Sequence, residues 1–516
     1  MERAAHEAPP VALPGRPISA WRDGADRPDR PPLERDLEVD VAVVGGGIAG
    51  LSVAHELRRG GASVAVLEGR QIGDGVTGNT TAKLTALQGT RYASMTSTHG
   101  TEVARAYADA NEWGIDRVEA IARELGIACD LRRKPYFTYT EHEARVPELE
   151  REAEAARVAG LRAELTTETD LPFDVAAAVR LGGEAEFQPV AYLAGLAAEL
   201  DRDGPTVYER SRAVRAGGDR VELEGGATVT AERTVLATQI PFMDRGLFFA
   251  RAGVARSYAT TVRLGGPVPQ GMYLQAESPS RTLRAVPWAG AELLLVGGES
   301  HELGHGDPAE RFRAVERFAR ERFDVAEFEH RWSAHDFMPD DGLPYVGRLS
   351  PLSDRVLVVS GLAKWGLAMS AAAGRILADR ILGRDSEWAP VFDPWRRPPL
   401  GAATTLVRHN ADSGFRFFKD RLQRSRSVDE LAAGEGRVVG SGLEQLAVHR
   451  DDAGHLHALS ARCTHLGCIV GWNSGERTWD CPCHGSRYTA EGEVISGPAT
   501  RALETKELPD DYEEEA

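Results

Sequence analysis

Four of the five cysteines in the chain lie close together, between Cys463 and Cys483. In this stretch Cys463 and His465 form a C-x-H pattern, and Cys481 and His484 form a C-x-x-H pattern after a gap of 15 residues. Two loops that each offer one thiolate and one imidazole can bind a zinc ion or a 2Fe-2S cluster. The spacing therefore predicts a metal site rather than scattered core thiols.

A glycine-rich turn near the start of the chain predicts a dinucleotide site. Gly45, Gly47 and Gly50 match G-x-G-x-x-G, and Glu68 follows 18 residues after Gly50. VDVAVVG is typical of a buried parallel strand, IAGLSVAHELRRG of a helix that ends at a glycine, and SVAVLEG of a second strand. In such a βαβ unit the glycines let the backbone approach a pyrophosphate at the helix N-terminus, and the acidic residue hydrogen-bonds a ribose.

Two further segments bear on which dinucleotide binds, because the glycine pattern alone does not separate FAD from NAD. The loop GDGVTGNTTAK offers hydroxyl, amide and ammonium donors at Thr77, Asn79 and Lys83. Later, VLVVSG and LAKWGLAMSAAAGRIL predict a strand, a turn and a helix, with Gly366 at the turn. The N-terminus of such a helix favours the anionic end of a reduced flavin.

With these segments, residues 37–383 resemble the D-amino-acid-oxidase-like family of FAD-dependent oxidoreductases. The resemblance implies bound FAD and an amine or amino-acid substrate whose α C–H bond gives a hydride to the flavin. Lys364 and Trp365, together with His301, are the candidate catalytic residues; Lys364 and Trp365 would contact the flavin or its pocket, or would cap the turn. His301, in the sequence HELGH, is a candidate for the substrate pocket. HELGH also matches a zinc-protease pattern, but the glycines and proline around it do not favour the helix that this chemistry needs.

The cysteine loops CTHLGC and CPCHGS resemble the Rieske domains of quinol-oxidising cytochrome complexes over residues 431–505. A zinc site has no need of the flanking HLGC and HGS. The resemblance implies that Cys463 and Cys481 bind one iron of a 2Fe-2S cluster, and that His465 and His484 bind the other. It also implies that the two histidines lie at an exposed edge of the cluster, where electrons would leave.

Three other matches to the Rieske domains concern the surroundings of the cluster. Cys468 and Cys483 occupy the positions that form a disulfide in that family. Ser486 and Tyr488 match the hydroxyls that hydrogen-bond the cluster sulfurs, and such bonds raise the reduction potential. Gly497-Pro498-Ala499 matches the proline loop that covers the cluster.

The expected fold is an α/β Rossmann-type FAD-binding domain with an inserted α+β substrate domain, followed by an all-β Rieske domain. We expect helices over 100–165 and short strands from about 205. The predicted organisation comprises an extended N-terminal arm (1–36), an FAD-dependent oxidoreductase domain (37–383) with a substrate subdomain at about 250–335, a linker (384–430) and a Rieske domain (431–516). This order resembles a family of soluble bacterial flavoprotein–Rieske fusions.

Composition narrows the range of partners. The formal charge is −17, from 61 basic and 78 acidic residues, which argues against nucleic acid because phosphate binding needs a basic surface. No stretch approaches the roughly 18–20 apolar residues of a transmembrane segment, and the first residues lack an apolar signal core. We therefore expect a cytoplasmic protein with no transmembrane segment.

The predicted function is oxidation of a small amine or amino acid by FAD, with electrons passing through the Rieske cluster to an external protein or quinone. A second reading is an NAD(P)H-linked or ferredoxin-linked reductase. A second G-x-G-x-x-G between a strand and a helix, which many NAD(P)H-reduced flavoproteins carry, is not found in the sequence. A third reading is a non-enzymatic electron-transfer or redox-sensing module.

Overall fold

The computed structural model describes residues 13–243, 245–399, 428, 431–441 and 444–508. Within these residues no helix combines the length and apolar character needed to cross a membrane. The helices are α1 Ala20–Asp23, α2 Ile48–Arg59, α3 Arg91–His99, α4 Thr101–Glu124, α5 Val146–Val158, α6 Pro189–Leu200, α7 Pro308–Arg322, α8 Gly366–Ile381 and α9 Ala389–Phe392.

The strands of the described residues form four sheets. In chain order they are β1 Leu37–Val44, β2 Val64–Leu67, β3 Lys83–Leu84, β4 Arg132–Thr140, β5 Glu164–Thr166, β6 Ala177–Glu186, β7 Val207–Tyr208, β8 Ala213–Ala216, β9 Arg220–Leu223, β10 Thr228–Leu236, β11 Ala252–Leu264, β12 Met272–Gln275, β13 Arg281–Trp288, β14 Ala291–Glu302, β15 Val325–Pro339, β16 Tyr345–Ser350, β17 Ser353–Ser360, β18 Gly436–Ser441, β19 Glu444–Arg450, β20 Leu456–Ser460, β21 Gly471–Asn473, β22 Thr478–Asp480, β23 Arg487–Tyr488 and β24 Val494–Ser496.

The first sheet is the nucleotide-binding sheet, with strand order β16-β17-β10-β1-β2-β7. Strands β17, β10, β1, β2 and β7 run parallel. Helices α2 and α8 pack against each other beside this sheet. Val43 and Val66 are fully buried, as β-branched residues in a sheet covered on both faces should be. The predicted βαβ unit is confirmed.

The second sheet has nine strands and corrects the expected bounds of the substrate subdomain. Its order is β15-β11-β14-β13-β12-β4-β6-β3, with β5 paired to β6. The expected range of about 250–335 supplies only part of it, because β3 to β6 come from residues 83–186. The stretch 132–140, expected to be helical, is strand β4, since its partners β6 and β12 lie far away in the sequence.

The N-terminal arm also differs from expectation over its described residues, 13–36, because it packs as part of the first domain. Trp21 is 1% exposed, and its indole N–H donates to Thr80 O at 2.7 Å. Arg30 pairs with Asp201 at 2.8 Å. One buried indole thus fixes a segment whose prolines and arginines favour an extended surface arm. Residues 1–12 lie outside the described part.

The expected linker is partly a packed segment. Trp388 and Phe392 are buried, and Arg396 donates to both carboxylate oxygens of Asp341 at 2.7 Å. These aromatic residues bury apolar surface against the first domain, so 384–399 continues that domain. Residues 400–427, 429–430 and 509–516 lie outside the described part.

The last domain is all β, as predicted, with one sheet of β18-β19-β20 and another of β21-β22-β23-β24. It contacts the first domain through buried polar groups. Arg256 on β11 pairs with Asp480, although its side chain is only 2% exposed. The Ser333 hydroxyl donates to Glu476 at 2.5 Å. These contacts fix the position of the second domain on the first.

Candidate active site and cluster site

The turn after β1 admits only glycine at two positions. Gly45 has φ 111°, and a Cβ there would lie 2.5 Å from Ala237 O. A Cβ at Gly50 would lie 1.9 Å from Gly45 O. Gly47 precedes the first residue of α2 and leaves the helix N-terminus open to a ligand. This turn is therefore built for close approach by an anionic group.

Glu68 lies just after β2, beside the same turn. Its Oε2 accepts the N–H of Gly46 at 2.7 Å, and its Oε1 accepts the N–H of Arg70 at 2.8 Å. Burial raises the pKa of Glu68, although both hydrogen bonds oppose this shift. These two hydrogen bonds hold the carboxylate beside the glycine turn, the place that an acidic residue takes in dinucleotide-binding βαβ units.

A cavity of about 350 Å³ connects the glycine turn, Glu68 and the start of α8. Most of the sequence-predicted flavin and catalytic residues line it: Gly45, Gly47, Glu68, Thr77, Asn79, Lys364, Trp365 and Gly366. Gly50 does not line the cavity but packs directly against the backbone of Gly45. Ser370, on the first turns of α8, also lines the cavity, and its buried hydroxyl has no hydrogen-bond partner among the described residues. A hydroxyl donor, two helix N-termini and a carboxylate beside the glycine turn fit FAD.

Lys83 does not line the cavity, which corrects its assignment as a cofactor-binding residue. Its buried ammonium donates to Thr282 Oγ1 and to Tyr273 O. Thr282 lines the cavity wall. Because β3 pairs with β6 of the second sheet, the lysine points into that sheet and supports the wall from outside.

His301 does not line the cavity either. Its ring stacks on Tyr258 with centroids 5.7 Å apart, and Nε2 lies 3.0 Å from the Tyr258 hydroxyl. Tyr258 does line the cavity. Burial lowers the pKa of His301 to about 4, so the ring is neutral at pH 7. HELGH begins on β14 and ends in a turn, so its histidines do not share a helix face.

The second sheet and the turn before α8 add charged groups to the cavity. Ala363 and Lys364 have φ of 50° and 72°, a conformation that non-glycine residues adopt at a cost. The Lys364 ammonium donates to Ser300 Oγ. Asp336, on β15, also lines the cavity, and burial raises its pKa. Sequence reasoning missed Asp336, because only the pairing of β15 with the distant β11 places it there.

The two cysteine loops bring their predicted iron ligands together. Cys463 and Cys481 are buried and hydrogen-bond each other, and the Tyr488 hydroxyl lies 3.2 Å from Cys463 Sγ. The bond with Cys481, with help from Tyr488, lowers the pKa of Cys463. The rings of His465 and His484 have centroids 5.1 Å apart. Two thiols and two imidazoles at this spacing fit the donor set of a Rieske cluster.

The groups around the cluster loops also lie as the resemblance implies. Cys468 and Cys483 form a disulfide with Cα atoms 6.6 Å apart. Ser486 is fully buried beside Cys463. Its Oγ accepts the N–H of Ala499 at 3.0 Å, which ties the proline loop to the cluster loop.

The expected exposed histidine edge is wrong in this structure. His465 and His484 are half-buried, and both contact Phe249 of the first domain, with ring centroids 5.8 and 5.0 Å from it. The expectation of an exposed edge rests on the cytochrome Rieske domains, which have no flavoprotein fused to them. Here the ligand histidines face the first domain.

Comparisons with known proteins agree with the assignment of both domains. A family model described as FAD dependent oxidoreductase (DAO) matches residues 40–380, and one described as Rieske [2Fe-2S] domain matches 422–507. A Bacillus subtilis (strain 168) protein named as the Rieske 2Fe-2S iron-sulfur protein YhfW is 32% identical over 95% of this chain and 98% of its own length.

Other relatives match only one part. The cytochrome b6-f complex iron-sulfur subunit of Synechococcus sp. (strain JA-3-3Ab) is 47% identical over 17% of this chain and 54% of its own length. Glycine oxidase from Geobacillus kaustophilus has a similar fold, with TM-score 0.59 and 23% identity over 70% of this chain and 99% of its own. This chain therefore belongs to the DAO family of FAD-dependent oxidoreductases and carries a Rieske 2Fe-2S domain after the flavoprotein domain.

Proposed function

We propose that the chain oxidises a small amine or amino acid in the FAD cavity and passes the electrons through its Rieske domain to an external acceptor, a protein or a quinone. The observation that carries this proposal is the position of Phe337. Its side chain lines the cavity, and a Cβ on Gly485 of the cluster loop would lie 3.6 Å from its Cζ. At this point one aromatic side chain stands between the cavity and the cluster loop.

The direction of the ligand histidines supports the same route. Bound FAD supplies a hydride acceptor, and a bound Rieske cluster supplies a one-electron centre. His465 and His484 pack on Phe249 of the flavoprotein domain. A histidine edge packed on the flavoprotein domain favours entry of electrons from that domain at this edge.

The second sheet supplies groups that suit a small nitrogen compound. Tyr258 and Trp332 offer aromatic surface, while Asp336 and Lys364 offer opposite charges. Asp336 suits a substrate ammonium, and Lys364 suits a carboxylate. Since loss of a hydride from the α carbon needs a neutral amine, Asp336 accepts the ammonium proton, and its raised pKa suits that role.

The names of the structural neighbours point to the same substrate class. Besides glycine oxidase they include an L-proline dehydrogenase from P. horikoshii and an L-amino acid deaminase from Proteus vulgaris. Those activities belong to those proteins.

The test is anaerobic mixing of the purified chain with single amines, amino acids, NADH or NADPH. Absorption follows the flavin, and parallel electron paramagnetic resonance follows the reduced cluster. We expect one amine or amino acid to bleach the flavin first, with the cluster signal following. Reduction by NAD(P)H alone would support the reductase reading, and reduction by dithionite alone would support the electron-transfer module.

Two lysine variants distinguish the loss of a charge in the cavity from the loss of a positive charge elsewhere on the protein. Lys364→Met should slow flavin reduction by the substrate roughly tenfold or more, since it removes a buried charge that contacts the substrate. Lys134→Met is the matched control, because Lys134 donates to Gln270 on the surface and does not line the cavity. Equal rates for the two variants would remove Lys364 from the substrate site.

A further inference from the structure

One loop of the Rieske domain faces both cofactor sites. We define the Rieske loop as residues 494–500. Five of its residues line the same cavity as Glu68 and the glycine turn: Ile495, Ser496, Gly497, Ala499 and Thr500. On its other side, the N–H of Ala499 donates to Ser486 beside the cluster ligands. The wall of the FAD cavity is thus completed by residues of a different domain.

Two arginines of the flavoprotein domain hold the Rieske loop in place. Arg212 Nη2 donates to Val494 O at 2.9 Å, and Arg70 Nη1 donates to Ile495 O at 3.4 Å. Both arginines line the cavity, as does Glu68. The carboxylate that suits the adenosine ribose, both arginines and the Rieske loop therefore lie at one end of the cavity.

We propose that the Rieske domain is the lid of the FAD site. Residues 494–500 cover the adenosine end of the cavity, so FAD leaves only when the Rieske domain moves away from the flavoprotein domain. Docking of the Rieske domain should therefore raise the affinity for FAD. Because linkage is reciprocal, bound FAD must favour the docked position by the same factor. This inference rests on FAD binding in the cavity and not on the electron route or the substrate.

Some contacts between the Rieske domain and the flavoprotein domain lie away from the cavity, so docking can be disturbed there without changing the FAD site. Gly475, in the hairpin between β21 and β22, packs on Phe312 of α7, and a Cβ there would lie 3.1 Å from the Phe312 ring. Neither residue lines the cavity. Gly475→Leu therefore wedges the domains apart without touching the FAD site. Gly471→Leu is the matched control, since a Cβ at this position on the same hairpin meets no atom within 4 Å.

The first measurement is the rate of FAD release from the full chain after dilution, followed by the fluorescence of free FAD. We expect release from Gly475→Leu to be roughly tenfold faster or more, and release from Gly471→Leu to stay within about twofold of the unchanged chain. Small-angle scattering shows whether the wedge increases the radius of gyration. A more extended Gly475→Leu that releases FAD at the unchanged rate would overturn the proposal.

A second measurement tests the proposal if Gly475→Leu does not increase the radius of gyration. Hydrogen exchange is compared in the unchanged chain with FAD and after its removal. The amides of 494–500 should exchange faster without FAD, while β18 to β20 should exchange at the same rate. Equal exchange of the Rieske loop in both forms would overturn the proposal, and so would a chain that binds no FAD at all.

Discussion

Replacement of Arg256 should strongly weaken the docking of the two domains. Its guanidinium pairs with Asp480 across the interface and donates from Nε to His335 Nε2 at 2.7 Å. Burial lowers the pKa of His335 well below its usual value, so the ring is neutral and accepts this bond. Arg256→Met therefore leaves a buried carboxylate without one of its cations and a buried imidazole without its donor.

The size of the effect follows from what remains around Asp480. Removing one partner of a buried ion pair costs about 3–5 kcal/mol. Arg487 stays 3.1 Å from Asp480 and compensates part of its charge. We therefore expect about 3 kcal/mol, at the lower end of that range, which is roughly a 100-fold change in the docking equilibrium. Arg256→Lys should fall between the variant and the unchanged chain, because a single ammonium restores the charge but not both contacts.

The assay is urea unfolding of the holoprotein, followed by loss of the visible absorption of the cluster. A change of 3 kcal/mol should lower the midpoint by about 1 M or more. The matched control is Arg263→Met on the same strand. Arg263 pairs with Glu329 at 2.5 Å, but its side chain is 39% exposed, so its loss should cost about 0–1 kcal/mol. Equal midpoints for the two methionine variants would refute the reasoning.

Three other predictions concern the cofactors and the pH dependence of folding. Gly50→Ala should abolish FAD retention, because its Cβ would overlap Gly45 O, whereas Gly225→Ala should keep FAD because Gly225 does not line the cavity and a Cβ there meets no atom within 4 Å; bound flavin per chain measures both. Cys481→Ser should lose the iron, and Cys129→Ser, also a buried cysteine, should keep it; iron retained at the unchanged level in the first variant would contradict the ligand assignment. Burial raises the pKa of Glu152 from 4.5 to about 7, so the native state binds more protons than the unfolded chain between these values. The free energy of unfolding should fall as pH rises from 4.5 to 7 and level off above, and Glu152→Gln should flatten this fall.

The parts that the sequence predicted are those whose signals are local. The glycine turn with Glu68 and the two cysteine loops each need only a few neighbouring residues at fixed spacing, and the structure assembles them as expected. Strands β1, β2 and β17 were predicted for the same reason, since a continuous run of β-branched residues favours a strand that is buried on both faces.

The parts that were missed depend on contacts between distant segments. The β4 segment carries few apolar residues at its start and becomes a strand because β6 and β12 flank it. Asp336 enters the cavity only through the pairing of β15 with β11. The direction of the ligand histidines and the place of the Rieske loop follow from domain docking, which no local periodicity encodes.

Strand pairing in the flavoprotein domain determines how much of the chain must be synthesised before its first sheet can form. In its first sheet, β1 pairs with β10, and β10 pairs with β17, which ends at Ser360. Contacts of such long sequence separation form late, whereas the Rieske sheets join near neighbours in the chain. The ribosome must then add the stretch up to Thr500, which takes on the order of ten seconds. During that interval the cavity lacks the wall that residues 494–500 form, so we expect FAD to enter most easily then.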